Sequence, residues 1–389
     1  MLLHNTRIIL PDRILPRADV RLRGGKIAEI SETELGAEAG EESINLGGNF
    51  LSPGFIDLHI HGAMRRDTME ADPEAFRTIC NFHATGGTTS LCLTTATAPN
   101  EDILRVLEAV KNFQLEPLTG ARVLGVHIEG PYFAMEKRGA HDPALIRHPK
   151  REEYEQWLAY GNVVRQMTLA PELPGALELI ETLATAGICP SGGHTDAWAE
   201  DGAAAFAHGM RKVTHTFNCM STARRRGIYR EGGMVEFALG EPEIICEVIA
   251  DLRHVSPTLL RMTYQAKGPH GIALVTDAIA GAGLGDGEQF LIAGLDCIIK
   301  DGVGVLADES AMSGSTATMA RLVRNMVQAV DVPLTDAICM ATHTPARALG
   351  IEAQKGTIAV GHDADLVVLN DELDVMCTIV GGQKVFSAS

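Results

Sequence analysis

Short apolar runs recur through the middle of the chain at the spacing of β-α units, and most are closed by a polar or charged residue. The runs are Phe55 to Gly62, Thr88 to Thr95, Arg122 to Gly130, Val164 to Ala170, Gly187 to His194, Lys212 to Asn218, Ile244 to Asp251 and Ile272 to Asp277. Each reads as a buried strand. Amphipathic segments lie between them, such as Asp72 to Gly86, with Asp72 as N-cap and Gly86 as stop, and Asn100 to Phe113. Apolar strands alternating with helices imply a parallel sheet covered on both faces. Eight such units over residues 55–277 predict a closed (β/α)8 TIM-type barrel.

The ends follow a different pattern. Residues 1–52 and 355–389 carry short β-rich runs broken by Gly-Gly, Pro and Asp. They predict one small β-sandwich domain built from both termini, leaving 53–354 for the barrel. Ser315 to Val330 and Leu334 to Leu349 are expected to be helices packed on the barrel, Met312 to Met319 a turn and helix start, and Gly281 to Gly287 a mobile loop.

Polar residues at strand ends are what the mouth of a barrel supplies. In Phe55 to Gly62 side chains alternate, so His59 and His61 point to one side and can grip one ion. Glu129, His194, His215 and Asp277 close comparable runs. Together these six residues outline a metal-hydrolase centre, because histidine and carboxylate are the ligands of a divalent ion. Zinc is the default, with iron, manganese or cobalt compatible with the same donors.

Composition narrows the setting. With 389 residues, 46% of them hydrophobic, the chain can bury a large core. No apolar run is long enough for a membrane span, and neither a signal peptide nor an anchor is evident. Eight cysteines are scattered without a C-x-x-C pair, which predicts reduced thiols and a cytoplasmic location. A net charge of -17 argues against nucleic-acid or anionic-membrane partners, so an anionic substrate needs a local basic patch.

The ordered set PGFIDLHIHG, HIEGPYFAMEKRGAHDP, GGHTDA, THTFN-x-M, IADLRHVSP, LVTDA and MSGSTATM resembles the N-acetylglucosamine-6-phosphate deacetylases of the amidohydrolase superfamily, across essentially the whole chain. The resemblance implies hydrolysis of an N-acetyl amino-sugar 6-phosphate to acetate and the amino-sugar phosphate. It implies Glu129, His194 and His215 as core metal ligands, Asp277 as catalytic acid/base and His141 as the group that orients the acetyl carbonyl. His59 and His61 match a pair found in some members, which makes room for a second ion bridged by Glu129. No lysine stands in VRQMTLAPE to bridge instead, and one or two ions are therefore expected. Asn218, Arg230 and His254 match positions that hold the sugar phosphate, with Arg230 and His254 acting across a homodimer interface.

Three departures from the family pattern, STARRRGIY, HGAMRRDTM and Cys219, are expected around the sugar pocket. They leave open whether the substrate is the glucosamine or the galactosamine epimer, or another N-acyl or cyclic amide. A non-catalytic barrel scaffold is the distant alternative, since a scaffold needs none of the ligands.

Overall fold

The computed structural model describes residues 1–292 and 294–388. Eight parallel strands, Phe55–Ile60, Thr88–Thr94, Arg122–Glu129, Val164–Leu169, Cys189–Gly192, Lys212–Val213, Ile245–Val248 and Ile272–Leu274, pair in chain order. The ring closes just beyond the strand ends. Asp277 N–H donates to His59 O at 2.9 Å, and His61 N–H donates to Ala278 O at 2.7 Å. All eight predicted runs contain a barrel strand.

Each strand is tied to its helix by local signals. The helix Pro73–Thr85 starts where the Asp72 carboxylate accepts the Ala75 N–H at 3.2 Å, with Pro73 supplying the first-turn φ, and ends at Gly86. Helix faces such as Ile103, Val106, Leu107 and Val110 pack on the outside of the strands and build the largest apolar core. The inside of the barrel is different, for a small apolar cluster that includes Ile56, Leu58, Cys92, Ile245 and Val275 is joined there by a polar layer. His127, Thr168, Thr214 and Ser191 form a buried hydrogen-bonded chain across neighbouring strands, with contacts of 2.6–2.7 Å.

The terminal β unit is one eight-stranded sheet. Phe50–Pro53 pairs antiparallel with Leu366–Leu369, Leu51 opposite Val368, and this joins the two ends of the chain. The sheet folds over its own core of Leu3, Ile8, Val20, Leu366 and Ile379. The turn at Gly25 thereby meets the turn at Gly381, and Ala364 N–H donates to Gly25 O at 2.8 Å. The sandwich is thus a single sheet folded over on itself.

Two elements differ from the sequence expectation. Met312–Ser315 is a strand, not a turn, and it completes an antiparallel four-stranded insert with Gln289–Ile292, Leu295–Lys300 and Val303–Leu306. Ser315 cannot begin the next helix because its N–H donates to Asp277 O at 2.8 Å, docking the insert on the barrel closure; the helix starts at Met319. The segment 334–349 is two helices, Leu334–Ala341 and His343–Ala348, broken at Thr342, where φ is -136° and ψ -74°.

Candidate metal centre

The six candidate ligands converge at the C-terminal mouth of the barrel, and all lie beyond or at the last residues of their strands. Glu129 ends the third strand, its N–H donating to Thr95 Oγ1 at 3.2 Å. His194, His215 and Asp277 stand past the regular strand ends, with φ of 49°, 29° and 49°. Left-handed backbone at three non-glycine residues costs energy, and here it turns side chains inward that simple alternation would leave along the wall.

The donor atoms form two cages that share one carboxylate. In the first, His59 Nε2 lies 3.2 Å from His61 Nε2, 3.4 Å from Glu129 Oε2 and 3.4 Å from Asp277 Oδ1, while His61 Nε2 is 3.1 and 3.4 Å from the same two oxygens. In the second, His194 Nε2 and His215 Nε2 are 3.0 Å apart and lie 3.3 and 3.2 Å from Glu129 Oε1. Tetrahedral ligands at about 2.0–2.1 Å from zinc stand about 3.3–3.4 Å from one another. The residues present therefore fit divalent ions, with the two oxygens of Glu129 turned to different cages.

Hydrogen bonds fix which ring nitrogens are free. His194 Nδ1 donates to Lys137 O at 2.8 Å and His215 Nδ1 to Asn218 O at 3.1 Å, so both Nε2 lone pairs face the centre. His141 is set the opposite way. Thr97 N–H donates to its Nδ1 at 3.3 Å, which leaves Nε2–H as a donor, 3.8 Å from Glu129 Oε2. Burial, aided by His194, pushes the His141 pKa down to about 3, so the ring is neutral.

The carboxylates are ionised. Burial would raise Glu129, but His59 and the hydrogen-bonding His194 and His215 hold it well below the usual range; Asp277 is lowered against burial by His59 and His61. Burial lowers His61, yet Asp277 and Glu129 bring it to about 9.

A cavity of about 180 Å³ opens onto this centre, and His141, Asn218, Cys219 and His254 line it with the ligands. His254 lines the cavity of its own chain. Its Nδ1 donates to Asp251 Oδ2 at 2.7 Å, and against burial that contact raises its pKa. Arg230 is elsewhere, exposed on the hairpin formed by Arg224–Arg226 and Tyr229–Glu231.

Of the three sequence departures, Cys219 and His61, the first residue of HGAMRRDTM, line the cavity. Arg65 turns to Gln289 O at 2.5 Å and Glu288 at 2.8 Å, and Arg66 to Glu70 and Asp72. Arg224 and Arg226 dock on Trp198 and not on this cavity. Sequence reasoning missed Glu247 and Lys212 beneath the ligands, although charged residues inside the apolar runs ICEVIAD and KVTH were the available signal.

A closed barrel carrying His, Glu and Asp ligands at its mouth defines a metal-dependent hydrolase. The chain belongs to the amidohydrolase family, whose model matches residues 50–385. It is 36% identical over 350 residues to the N-acetylglucosamine-6-phosphate deacetylase of Vibrio furnissii, covering 90% of this chain and 86% of that one. It is 32% identical to an N-acetylgalactosamine-6-phosphate deacetylase of Escherichia coli O157:H7, covering 97% of each. A solved structure of a mutant N-acetyl-D-glucosamine-6-phosphate deacetylase from Mycobacterium smegmatis, in complex with N-acetyl-D-glucosamine-6-phosphate, superposes with a TM-score of 0.91 at 31% identity. That match covers 100% of this chain and 99% of that one.

Proposed function

We propose that this protein hydrolyses the acetamide of an N-acetylhexosamine 6-phosphate, with N-acetylglucosamine 6-phosphate as the first choice, to acetate and the amino-sugar 6-phosphate. The observation that carries the reading is the shared-carboxylate geometry, Glu129 between the His59–His61 and His194–His215 pairs, with Asp277 and a neutral His141 on the same cavity. Two zinc ions are the cofactor we assign to it. The eight free thiols support a reducing, cytoplasmic setting.

An amide resists water because its carbon is a poor electrophile and its nitrogen a poor leaving group. When bound, a divalent ion supplies the Lewis acidity that brings the pKa of water from about 15.7 to about 7. Ionised Asp277 takes the proton from the attacking water and returns it to the nitrogen as the C–N bond breaks. His141 donates Nε2–H to the acetyl oxygen as negative charge develops there. His254, held by Asp251, brings positive charge to the sugar phosphate with the Asn218 amide beside it. Arg230 faces solvent on its own chain, and in our reading it completes the phosphate site of a second copy.

The test is acetate release by purified protein from N-acetylglucosamine 6-phosphate, its galactose epimer and the unphosphorylated sugar, with metal counted in each sample. Chelator-sensitive release that needs the phosphate is expected. No release from either epimer by fully metallated protein would end this reading.

A further inference from the structure

The barrel interior holds an ion pair that the hydrolytic steps leave unused. Lys212 on the sixth strand donates to Glu247 Oε1 on the seventh, and neither side chain has any exposed surface. Taking both charges out of water carries a desolvation cost that their attraction seldom exceeds. The second oxygen of Glu247 points up at the ligand layer. Glu247 Oε2 lies 3.5 Å from His59 Nδ1 and accepts the His215 N–H at 3.4 Å.

We propose that Glu247, held in place by Lys212, is a positioning residue that sets the occupancy of the cage formed by His59, His61, Glu129 and Asp277. The inference rests on the two-ion reading above. His59 can bind an ion through Nε2 only as the tautomer with its proton on Nδ1, and Glu247 is the acceptor placed to receive that proton. A carboxylate acceptor also makes the imidazole a stronger donor. In the other cage, His194 and His215 have neutral backbone carbonyls in this role, at Lys137 O and Asn218 O. Their tautomers are fixed without Glu247, whose contact there is only with the His215 backbone N–H, so its loss bears chiefly on the first cage. Lys212 has a separate task. It neutralises Glu247, so that His59 gains an anionic acceptor while the enclosed centre gains no net negative charge beyond Glu129 and Asp277.

Truncating Glu247 alone leaves a buried unpaired lysine and risks misfolding, so the pair is changed together. Metal-free wild type, Lys212→Met/Glu247→Leu and Lys212→Met/Glu247→Gln are titrated with zinc against a competing chelator. Bound ions are counted by elemental analysis and folding is checked by circular dichroism. Wild type is expected to hold two ions per chain. The Leu double variant should weaken one of them by about 10- to 100-fold, the usual effect of losing such a partner, with the other within about threefold of wild type. The Gln variant, which keeps an acceptor, should recover part of that loss. Two ions at wild-type affinity in the Leu variant would overturn the role of Glu247, as would equal weakening of both in a folded protein. A single ion in wild type would instead overturn the two-ion reading, and this inference with it.

Discussion

At the scale of single residues the chemistry turns on which groups carry a proton. Asp277 is ionised and 13% exposed at the cavity, so Asp277→Asn keeps the shape and loses the proton acceptor. Turnover should fall by about 10²–10⁴, with the second cage, which lacks Asp277, still filled; near-normal kcat in a metallated variant would remove Asp277 from the mechanism. His141→Ala should lower kcat by about 10²–10³ with metal content unchanged, measured at saturating substrate, because an oxyanion donor acts in the transition state. A different histidine governs stability. His83 is fully buried, and burial pushes its pKa down to about 4 from the ordinary 6.5 against the partial help of Gly62 O. The unfolded chain therefore binds more protons between pH 6.5 and 4, and this group costs stability as the pH falls through that window, by up to about 3 kcal/mol. Urea midpoints of wild type and His83→Gln should diverge across it, with the variant less pH-sensitive. Parallel curves would show that His83 is not the group responsible. The ligands themselves were legible in the sequence because each closes an apolar run. Their left-handed backbone was not, since nothing in a histidine or aspartate at a run's end specifies φ.

At the scale of elements the hairpin 224–231 shows how a charge run becomes structure. Arg224 and Arg226, two apart on a strand, share a face, and their guanidinium carbons stand 4.2 and 3.9 Å from the Trp198 ring centroid. Arg224 also grips the Asp196 carboxylate at 2.5 Å and its carbonyl at 2.6 Å, two residues from His194. Arg225 and Arg230 stand directly opposite each other on the two strands, an arrangement of like charges that favours an anion between or beside them. Arg224→Ala should loosen this ribbon and so raise KM for the phosphorylated sugar severalfold while kcat and metal content stay near wild type. Equal losses on phosphorylated and plain sugar would show that the ribbon does not serve the phosphate. The barrel was legible at this scale because eight apolar runs recur at the spacing of β-α units. The insert 289–315 was not, although Gln289–Ile292 alternates exposed and buried residues, because glycines and acidic turns punctuate so short a stretch that a loop reads equally well. The break at Thr342 was masked by apolar spacing that runs on through it, although Pro345, which has no N–H to continue the helix, was the available signal.

At the scale of the whole molecule, the metal centre joins parts that are far apart in sequence, and this makes it a structural element as well as a chemical one. His59 and Asp277 meet across the seam where the barrel closes, and the insert docks on the same seam through Ser315. Ions held there would connect the first strand, the third, the turns after the fifth and sixth, and Asp277 beyond the eighth. Without ions, buried Glu129 and partly exposed Asp277 gather negative charge at the mouth of a protein that already carries a net charge of -17, and they bring His61 beside them to about 9. A ligand that binds only the folded chain stabilises it by about 4 kcal/mol when present at about a thousand times its dissociation constant. The chelated protein should therefore melt several degrees below the zinc-loaded one, and its melting temperature should climb with free zinc. Two ions at separate affinities should give that climb two phases, and a variant lacking His59 and His61 should keep only the phase that belongs to the His194–His215 cage. A melting temperature indifferent to zinc would mean that the seam holds without the ions, and that the ligands serve the reaction alone.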